Sequence, residues 1–497
     1  MKGLIFTVAL TYGGALMSLF KPFYGLLIYV CFAILRPEDM WSWSVQGGNY
    51  SRIIALAMLG GWLWHIGLTF LTGKGVNFRL GAGKPVALLF LAFWIWSAFL
   101  ALNSRHPSHA WAYVETLAKI LLPFLVGMTT IDSVKKLKQL AWVIVISQGY
   151  VAYELNMYYF GGYNKLWLDG FGGIDNNSVA IALVTVIGIA AFMFLHVEEY
   201  WKKAIIGFCG AFMAHAVLFS FSRGGMVALI LCALVGFILL KKEWHHYLAF
   251  GFAVMAMVYL AGPEVRTRFL RTFETKRGKR EASAQSRIDL WADCYTVLKA
   301  DPIMGCAPNH WPLLAHRFGW PAGKEAHSLW VQTATETGVP GIMMFAGFYL
   351  VCIFRLLMLL RHADEDDDPW FGDVARMVTA SLAAFGISAQ FVSLEALEVP
   401  YYVTLLGAAT LSVYTRTKLE EQQKAGEAAD DYEDEPGDDY YDEQDPHFDD
   451  DDDGFGPHRE VESEYYEDDL QYEDGFGSDY IDEDEFEYEY EGPGSPR

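Results

Sequence analysis

The residues best suited to carry chemistry lie at 323–341, where His327 stands near the end of a long polar segment. Gly338 follows eleven residues later and opens a hydrophobic run, 342–360, that is long enough to enter a bilayer. Imidazole has the side-chain pKa nearest neutrality, so His327 is a natural proton acceptor at a water–lipid boundary. A histidine that merely sits at an interface is the alternative that this stretch alone leaves open.

Two arginines stand out by their positions. Arg223 lies in Phe-Ser-Arg-Gly-Gly, a very short turn between two apolar runs, where a charge is costly unless it stays wet or finds a partner. Arg287 lies in Ser-Arg-Ile-Asp-Leu-Trp, inside the long polar segment. Guanidinium stays charged and grips phosphate with two parallel hydrogen bonds, so both are candidates to bind pyrophosphate. The alternatives are a snorkelling side chain for Arg223 and a salt bridge to Asp289 or Glu281 for Arg287.

A lysine inside an apolar run is a further candidate. Lys119 lies within the run 110–130, four residues after Glu115. That spacing puts both side chains on one helix face, so a mutual ion pair is the first interpretation. A supporting role for Lys119 beside an anionic substrate is the second.

Several enzyme patterns are absent from the sequence. It contains no Walker phosphate loop, no His-Glu-x-x-His zinc pattern, no Gly-x-Ser-x-Gly elbow and no outward-facing Asp pair of the kind that holds a metal in glycosyltransferases. We therefore predict no metal and no cofactor, and the energy of any reaction must come from an activated substrate. A pyrophosphate-linked lipid would supply that energy, and its charge would suit the two arginines.

The elements that must position these residues are apolar runs, which predict an all-α, polytopic integral membrane protein. Thirteen runs fall near 3–19, 23–35, 53–72, 85–102, 110–130, 139–158, 178–195, 204–220, 226–240, 247–262, 339–360, 375–393 and 399–414. The first two are short and separated only by Lys21 and Pro22, so they form either a tight hairpin or one broken or re-entrant element. We expect about 12 transmembrane helices, with 13 as the alternative.

Basic residues in short loops predict the sidedness of the helices, because such residues mark the cytoplasmic side. Six sites alternate correctly with the runs: Lys74 with Arg79 and Lys84, Lys135 with Lys136 and Lys138, Lys202 with Lys203, Lys241 with Lys242, Arg355 with Arg361, and Arg416 with Lys418. The loops 159–177, 221–225, 263–338 and 394–398 are then predicted to face outward.

Four segments follow from this pattern. Residues 1–262 form an N-terminal transmembrane bundle, 263–338 a large helical loop that carries the active site, and 339–415 the C-terminal transmembrane helices. The loop contains a basic cluster between 266 and 280, which would rest on lipid headgroups or bind a phosphate-bearing substrate. Cys294 and Cys306 could pair with each other if the loop is extracytoplasmic.

The last segment, 416–497, is predicted to be a disordered, acidic, cytoplasmic tail. Residues 419–497 hold 34 Asp and Glu against three basic residues, so the tail carries −31 and the rest of the chain +8, which gives the net −23. Such charge density cannot collapse into a core. A solvating tail is the first interpretation, and contact with basic partners is the second.

Taken together, these residues and their order resemble the O-antigen ligase and polymerase superfamily of bacterial inner-membrane proteins. The ligase signature, His, then Asn, Ser or Gln, nine residues, and Gly-x-x-Gly, is matched in full from His327-Ser328 to Gly338-Val339-Pro340-Gly341. Arg223 matches the family's short-loop arginine, and Arg287, shortly before a tryptophan, matches its long-loop arginine. The Asp-Pro-Ile-Met-Gly stretch at 301–305 also looks like the family's.

Two further stretches point to one branch of this superfamily. Arg-Pro-Glu-Asp-Met-Trp-Ser-Trp-Ser from residue 36, and Asp-Asn-Asn at 175–177, are similar to the exosortase-associated O-glycosylation ligases. The resemblance covers roughly residues 1–415, and the acidic tail departs from it.

What the resemblance implies is metal-independent, inverting glycosyl transfer from undecaprenyl pyrophosphate to a lipid or protein acceptor at the periplasmic side of the inner membrane. His327 would be the catalytic base, Arg223 and Arg287 would bind pyrophosphate, and Glu336 would orient nearby groups. The signature glycines Gly338 and Gly341 would support the site. The partners would be the donor, the acceptor and membrane lipids, and no nucleic acid is expected. A polymerase of the same superfamily and a non-catalytic transporter of lipid-linked glycans are the alternatives.

Overall fold

The computed structural model describes residues 2–72, 80–260, 282–363, 369–393 and 397–433, which form helices and connecting turns without a named β-strand. The α-helices of these residues are α1 (Lys2–Phe20), α2 (Pro22–Leu35), α3 (Pro37–Met40), α4 (Tyr50–Leu71), α5 (Lys84–Leu102), α6 (Pro107–Thr130), α7 (Val134–Phe160), α8 (Lys165–Asp169), α9 (Asn176–His196), α10 (Tyr200–Phe219), α11 (Arg223–Leu239), α12 (Trp244–Leu260), α13 (Ala282–Ala300), α14 (Trp311–Leu314), α15 (Leu329–Ala363), α16 (Trp370–Ser388) and α17 (Val399–Glu433).

Eight of these helices are long and apolar enough to cross a membrane, namely α1, α4, α5, α6, α9, α10, α15 and α16. The shorter α11 is apolar as well. The chain is therefore an all-helical, multi-pass membrane protein, as the sequence predicts. Each of the 13 apolar runs coincides with a described helix, whereas the number that crosses the bilayer, 12 or 13, stays a prediction.

The first two runs fold as a tight helical hairpin rather than as one broken helix. A Cβ added at Gly14 would lie 2.3 Å from Ile28 Cδ1, and one added at Gly25 would lie 2.4 Å from Ser18 Oγ. The two contacts pair residues at increasing distance from the Lys21 turn, which is the pattern of antiparallel helices. Pro22 begins α2, where its missing N–H costs no helical hydrogen bond.

Of the eight candidate spans, α9 and α16 are the most buried, and they pack against each other. Gly188 permits this approach, because an added Cβ would lie 2.4 Å from Ser381 Oγ. At one end of the pair, His196 Nδ1 lies 2.9 Å from Asp373 Oδ2. The buried Arg376 donates from Nε to the Leu239 carbonyl at 3.0 Å, which ties α16 to α11. Lipid supplies no partners for polar groups, so these residues satisfy one another.

Loops whose basic residues predict the same side of the membrane are joined by hydrogen bonds at the same end of the bundle. At one end, Arg416 donates to the Asp132 carbonyl (3.3 Å) and Arg355 to the Ala82 carbonyl (3.1 Å). At the opposite end, which we call the site end, the turn preceding α11 and the segments preceding α9 and α15 lie together. Which end faces the periplasm stays a prediction.

Two helices extend beyond the predicted boundaries. The helix α15 begins at Leu329, so the predicted boundary between loop and span at 338/339 falls inside a helix. The helix α17 continues to Glu433, so the tail predicted from 416 begins as helix. Residues 418–429 are rich in Lys, Glu, Gln and Ala, which are strong helix formers, and Lys418 pairs with Glu421 at 2.9 Å. The rest of the predicted tail, 434–497, lies outside the described residues.

Candidate functional site

The end of the polar segment is fixed on α15 by one buried carboxylate. Glu336 accepts hydrogen bonds from the backbone N–H of Asn309 (2.7 Å) and of Trp311 (3.2 Å), and its residue is 2% exposed. Buried backbone donors need such partners. Glu336 therefore fixes the backbone at Asn309 and Trp311, whereas its predicted role in orienting groups near His327 stays a prediction.

The signature glycines serve close packing of the backbone. Gly338 has φ 69° inside α15, and an added Cβ would lie 2.1 Å from the Ile303 carbonyl oxygen. The following N–H, of Val339, donates to the Pro302 carbonyl at 2.8 Å. At Gly341 an added Cβ would lie 2.1 Å from Thr337 Oγ1. Gly338 thus lets the Asp-Pro-Ile-Met-Gly turn lie against a kink in α15, whereas Gly341 makes room for the Thr337 side chain.

His327 lies just before α15, in a backbone held from several directions. Its φ of 52° is uncommon for a residue with a side chain and is seen most often where function constrains the backbone. Ser328 accepts from the Val331 N–H (3.3 Å) and so caps the helix. The neighbouring Ala326 donates to Gln332 Oε1 (3.1 Å) and accepts from Trp291 Nε1 (2.9 Å).

Trp291 brings Arg287 to the histidine. The two residues are four apart in α13 and therefore share a face, and Trp291 bonds the residue next to His327. The charge of Arg287 acts directly on His327 and lowers its pKa. Arg287 and His327 therefore lie within electrostatic range of each other; the role of Arg287 in binding pyrophosphate stays a prediction.

A lysine contacts the catalytic candidate directly. Lys324 Nζ lies 2.9 Å from His327 Nε2, and both side chains are half-buried. Burial, the Lys324 ammonium and the Arg287 guanidinium lower the pKa of His327, against an opposing effect of Asp175. Each acts as expected, since burial and like charges disfavour the imidazolium and a carboxylate favours it. The site therefore favours neutral His327, the form that can accept a proton.

Asp175 is the acidic group of this site. It precedes α9 and caps it, since Oδ1 accepts from the Ser178 N–H at 2.9 Å, while Asn177 Nδ2 donates to Oδ2 at 3.0 Å. Burial acts to raise the pKa of Asp175, but these hydrogen bonds outweigh it, so the pKa is lowered, and protonation of His327 would lower it further. Asp175 therefore stays ionised and faces the cations around His327.

Arg223 is joined to this group through the start of α9. Asn176 donates from Nδ2 to the Ser220 carbonyl at 2.8 Å, three residues before Arg223. A Cβ added at Gly225 would lie 2.7 Å from Ala180 Cβ, so α9 and α11 begin side by side. Arg223 is the first residue of α11 and is half-buried. The helices α9, α11 and α15 thus all begin at the site end, and helix N-termini attract anions.

Lys119 lies in the middle of α6. Its Nζ pairs with Glu115 Oε1 at 2.9 Å, and the two side chains are 60% and 71% exposed. This contact is the ion pair that the four-residue spacing of Glu115 and Lys119 predicts. A supporting role at the donor site stays a prediction.

Two further residues connect the site to α16. Ser393 donates from Oγ to Gln332 Oε1 (2.8 Å), and Trp330 Nε1 donates to the Gly386 carbonyl (2.8 Å). Glu325 lies at the same place, because its charge interacts with Asp175 and Lys324 and its carboxylate with Ser393. The start of α15 is therefore held by the C-terminal end of α16.

Sequence reasoning missed Lys324 and Asp175 as site residues. Lys324 is three residues before His327, and Asp175 belongs to the Asp-Asn-Asn stretch quoted for the resemblance. The signal for Asp175 was its place just before an apolar run, where a carboxylate caps a helix and faces the predicted outer surface. The basic residues at 266–280 lie outside the described residues. Cys294 and Cys306 are free thiols and do not form the pair considered from sequence.

Comparison with known families agrees with the motifs. Residues 208–346 match a family model described as O-antigen ligase. Residues 1–199 match a family of unknown function, DUF5935. No curated protein matches the chain. The first match spans Arg223, Arg287, His327, Gly338 and Gly341, and it confirms the resemblance to the O-antigen ligase superfamily. The exosortase-associated branch is not confirmed.

Proposed function

We propose that this protein, which carries an O-antigen ligase domain and many apolar helices, is a membrane glycan ligase. It moves a preassembled glycan from undecaprenyl pyrophosphate to a lipid or protein acceptor on the periplasmic side of the inner membrane. The observation that carries the proposal is the group around His327. A half-buried histidine that favours its neutral form contacts Lys324 and lies within electrostatic range of Arg287 and of Asp175, which caps α9.

The reaction needs a base and fixed positive charge. The oxygen of the acceptor hydroxyl attacks the anomeric carbon of the first sugar and forms a new carbon–oxygen bond. The proton of that hydroxyl passes to His327. The bond between the anomeric carbon and the pyrophosphate oxygen breaks, and undecaprenyl pyrophosphate leaves with the electron pair. Attack opposite to the leaving group inverts the anomeric centre.

Charge on the leaving group increases as that bond breaks. Arg287 and Arg223 stabilise it, and groups fixed before the reaction stabilise a transition state best. Arginine suits the task because its fork can bind two phosphate oxygens at once. Glu336 and the signature glycines act indirectly, by holding the backbone on which His327 stands.

The test is reconstitution of the purified full-length protein with an undecaprenyl-pyrophosphate glycan and candidate acceptors. We expect His327→Gln to lower turnover about 100- to 10,000-fold with little change in donor binding, because glutamine cannot take the proton. Arg223→Ala and Arg287→Ala should lose most transfer, and lysine at either position should restore it only partly. Lys299→Ala, in α13 but outside the described site, is the control.

The products separate the alternatives. A ligase attaches the donor glycan to a different acceptor, whereas a polymerase of the same superfamily joins donor glycans into longer lipid-linked chains. A transporter or scaffold would form no new glycosidic bond and would tolerate His327→Gln. Near wild-type transfer by His327→Gln would refute the base assignment, and activity of all three substituted proteins would refute the ligase proposal.

A further inference from the structure

We propose that Lys324 is a third cation of the donor site and that it holds His327 inactive until a pyrophosphate draws it away. This inference rests on the proposed function, since it concerns the same base and the same anionic donor. It goes further by assigning Lys324 to the binding of the donor and by making base activation depend on that binding.

The contact between the two side chains restricts the histidine. An ammonium group carries only donors, so at 2.9 Å the Nε2 atom of His327 is the acceptor. A neutral imidazole has a single N–H, which must then be on Nδ1. In this arrangement neither ring nitrogen has a free lone pair. His327 is therefore neutral, as a base must be, but cannot take a proton while Lys324 remains.

The charges around the pair favour release by an anion. Two cations lower the pKa of His327: Arg287, which lies in α13, and Lys324, which lies in the same segment as His327. Asp175, at the start of α9, raises that pKa. Glu325 interacts with both Lys324 and Asp175. An ammonium bonds a doubly charged phosphate more strongly than a neutral imidazole, because the phosphate acceptor is itself ionised and the attraction between opposite charges adds to the hydrogen bond.

Movement of the ammonium from Nε2 to the pyrophosphate has two consequences. The Nε2 lone pair becomes free to accept the proton of the acceptor hydroxyl. The positive charge of Lys324 is neutralised by the phosphate, so one of the groups that lower the pKa of His327 is lost and the base becomes stronger. Donor binding thus prepares the base, and the proton is released to solvent after the lipid pyrophosphate leaves.

The first experiment compares Lys324→Met and Lys324→Gln with wild type in the transfer assay. Loss of the cation should raise the KM for the donor about 10- to 100-fold, the range of a hydrogen bond to a charged group. The acid limb of kcat/KM should move to higher pH, because the pKa of His327 rises when the cation is removed. Lys299→Met, which leaves the site intact, should change neither. A normal KM with an unshifted limb would overturn the proposal.

The second experiment needs no transfer activity. Diethyl pyrocarbonate attacks the free lone pair of a neutral imidazole, and peptide mass spectrometry measures its rate at His327 without donor. We expect slow reaction in wild type and in Lys299→Met, and reaction about tenfold faster in both Lys324 substitutions, as for the loss of one charged hydrogen bond. Equal rates of modification in wild type and in the Lys324 substitutions would refute the blocking of His327 by Lys324, even if the protein is an active ligase. Faster modification in the Lys324 substitutions, together with no glycan transfer by the wild-type protein, would instead refute the proposed function.

Discussion

At the level of single residues, Asp175 is the group that opposes the cations around His327. Its carboxylate raises the pKa of His327, while burial, Lys324 and Arg287 lower it. We expect Asp175→Asn to shift the acid limb of kcat/KM to lower pH, because the folded-state pKa of His327 falls and the histidine stays neutral in more acidic solution. Asparagine also caps helices, so α9 should keep its N-terminal hydrogen bond. The measurement is the pH profile of transfer.

A matched control for this change is Asp169→Asn, in the same connecting segment, where the carboxylate bonds the hydroxyl of Tyr163 at 2.8 Å. That substitution should leave the profile where it is. A shift of equal size in both proteins would show that the effect is general and not the charge of Asp175.

Glu336 belongs to the same scale, although its role is structural. Its carboxylate accepts from two backbone N–H groups, and glutamine offers one acceptor oxygen and one NH₂ group. Glu336→Gln should therefore leave one buried donor unpaired and lower the free energy of unfolding by about 1–3 kcal/mol. Thermal unfolding in detergent measures the loss. Glu420→Gln, on the exposed part of α17, is the control, and an unchanged transition midpoint for Glu336→Gln would contradict this role.

Site residues that belong to one short motif could be identified from the sequence, whereas residues far apart in the chain could not. His327 and Gly338 form one short motif, and Arg287 lies in a recognisable local pattern. Asp175 comes within electrostatic range of His327 only through the fold, across about 150 residues that no local spacing records. The contact of Lys324 with Nε2 occurs beside a His327 backbone with positive φ, a conformation that sequence does not specify for a non-glycine residue.

At the level of elements, the kink in α15 is a testable requirement. Gly338 combines a φ of 69° with a Cβ position 2.1 Å from a backbone carbonyl oxygen. Alanine would be strained and would push away the 301–305 turn, so Gly338→Ala should lose most transfer and unfold at lower temperature. Gly60→Ala in α4, where an added Cβ meets nothing within 4 Å, is the control. Equal behaviour of the two proteins would show that the kink is dispensable.

Helix boundaries show why hydropathy located the elements but not their ends. Apolar runs report contact with lipid or core, whereas a helix continues wherever its backbone bonds and propensities allow. The first turns of α15 are polar because they line the site, and the end of α17 is polar because it leaves the bundle. Both extensions lie outside the hydrophobic runs, so the predicted boundaries fall inside helices.

At the scale of the whole molecule, the charge pattern makes a prediction about sidedness. Basic loops gather at one end of the described bundle and the candidate site lies at the other. In intact cells, a cysteine replacing the exposed Arg317 should react with a membrane-impermeant maleimide, whereas one replacing Lys424 should react only after lysis. Both should be made in a background without native cysteines. Labelling of position 424 in intact cells would reverse the topology.

The acidic tail tests whether the body acts alone. Residues 434–497 hold 28 of the 34 Asp and Glu residues that follow Lys418. If the tail only solvates the protein, truncation after Glu433 should leave transfer within about twofold, as for changes away from packed contacts. Truncation after Lys418 should behave alike, because residues 419–424 are exposed.

Assays at low and at physiological salt separate the alternatives, since attraction of the tail to basic surfaces weakens as the Debye length falls to about 8 Å. A loss of transfer confined to low salt would identify an electrostatic role for the tail, and a loss at both salts, with normal protein level, would show that the tail is part of the working enzyme.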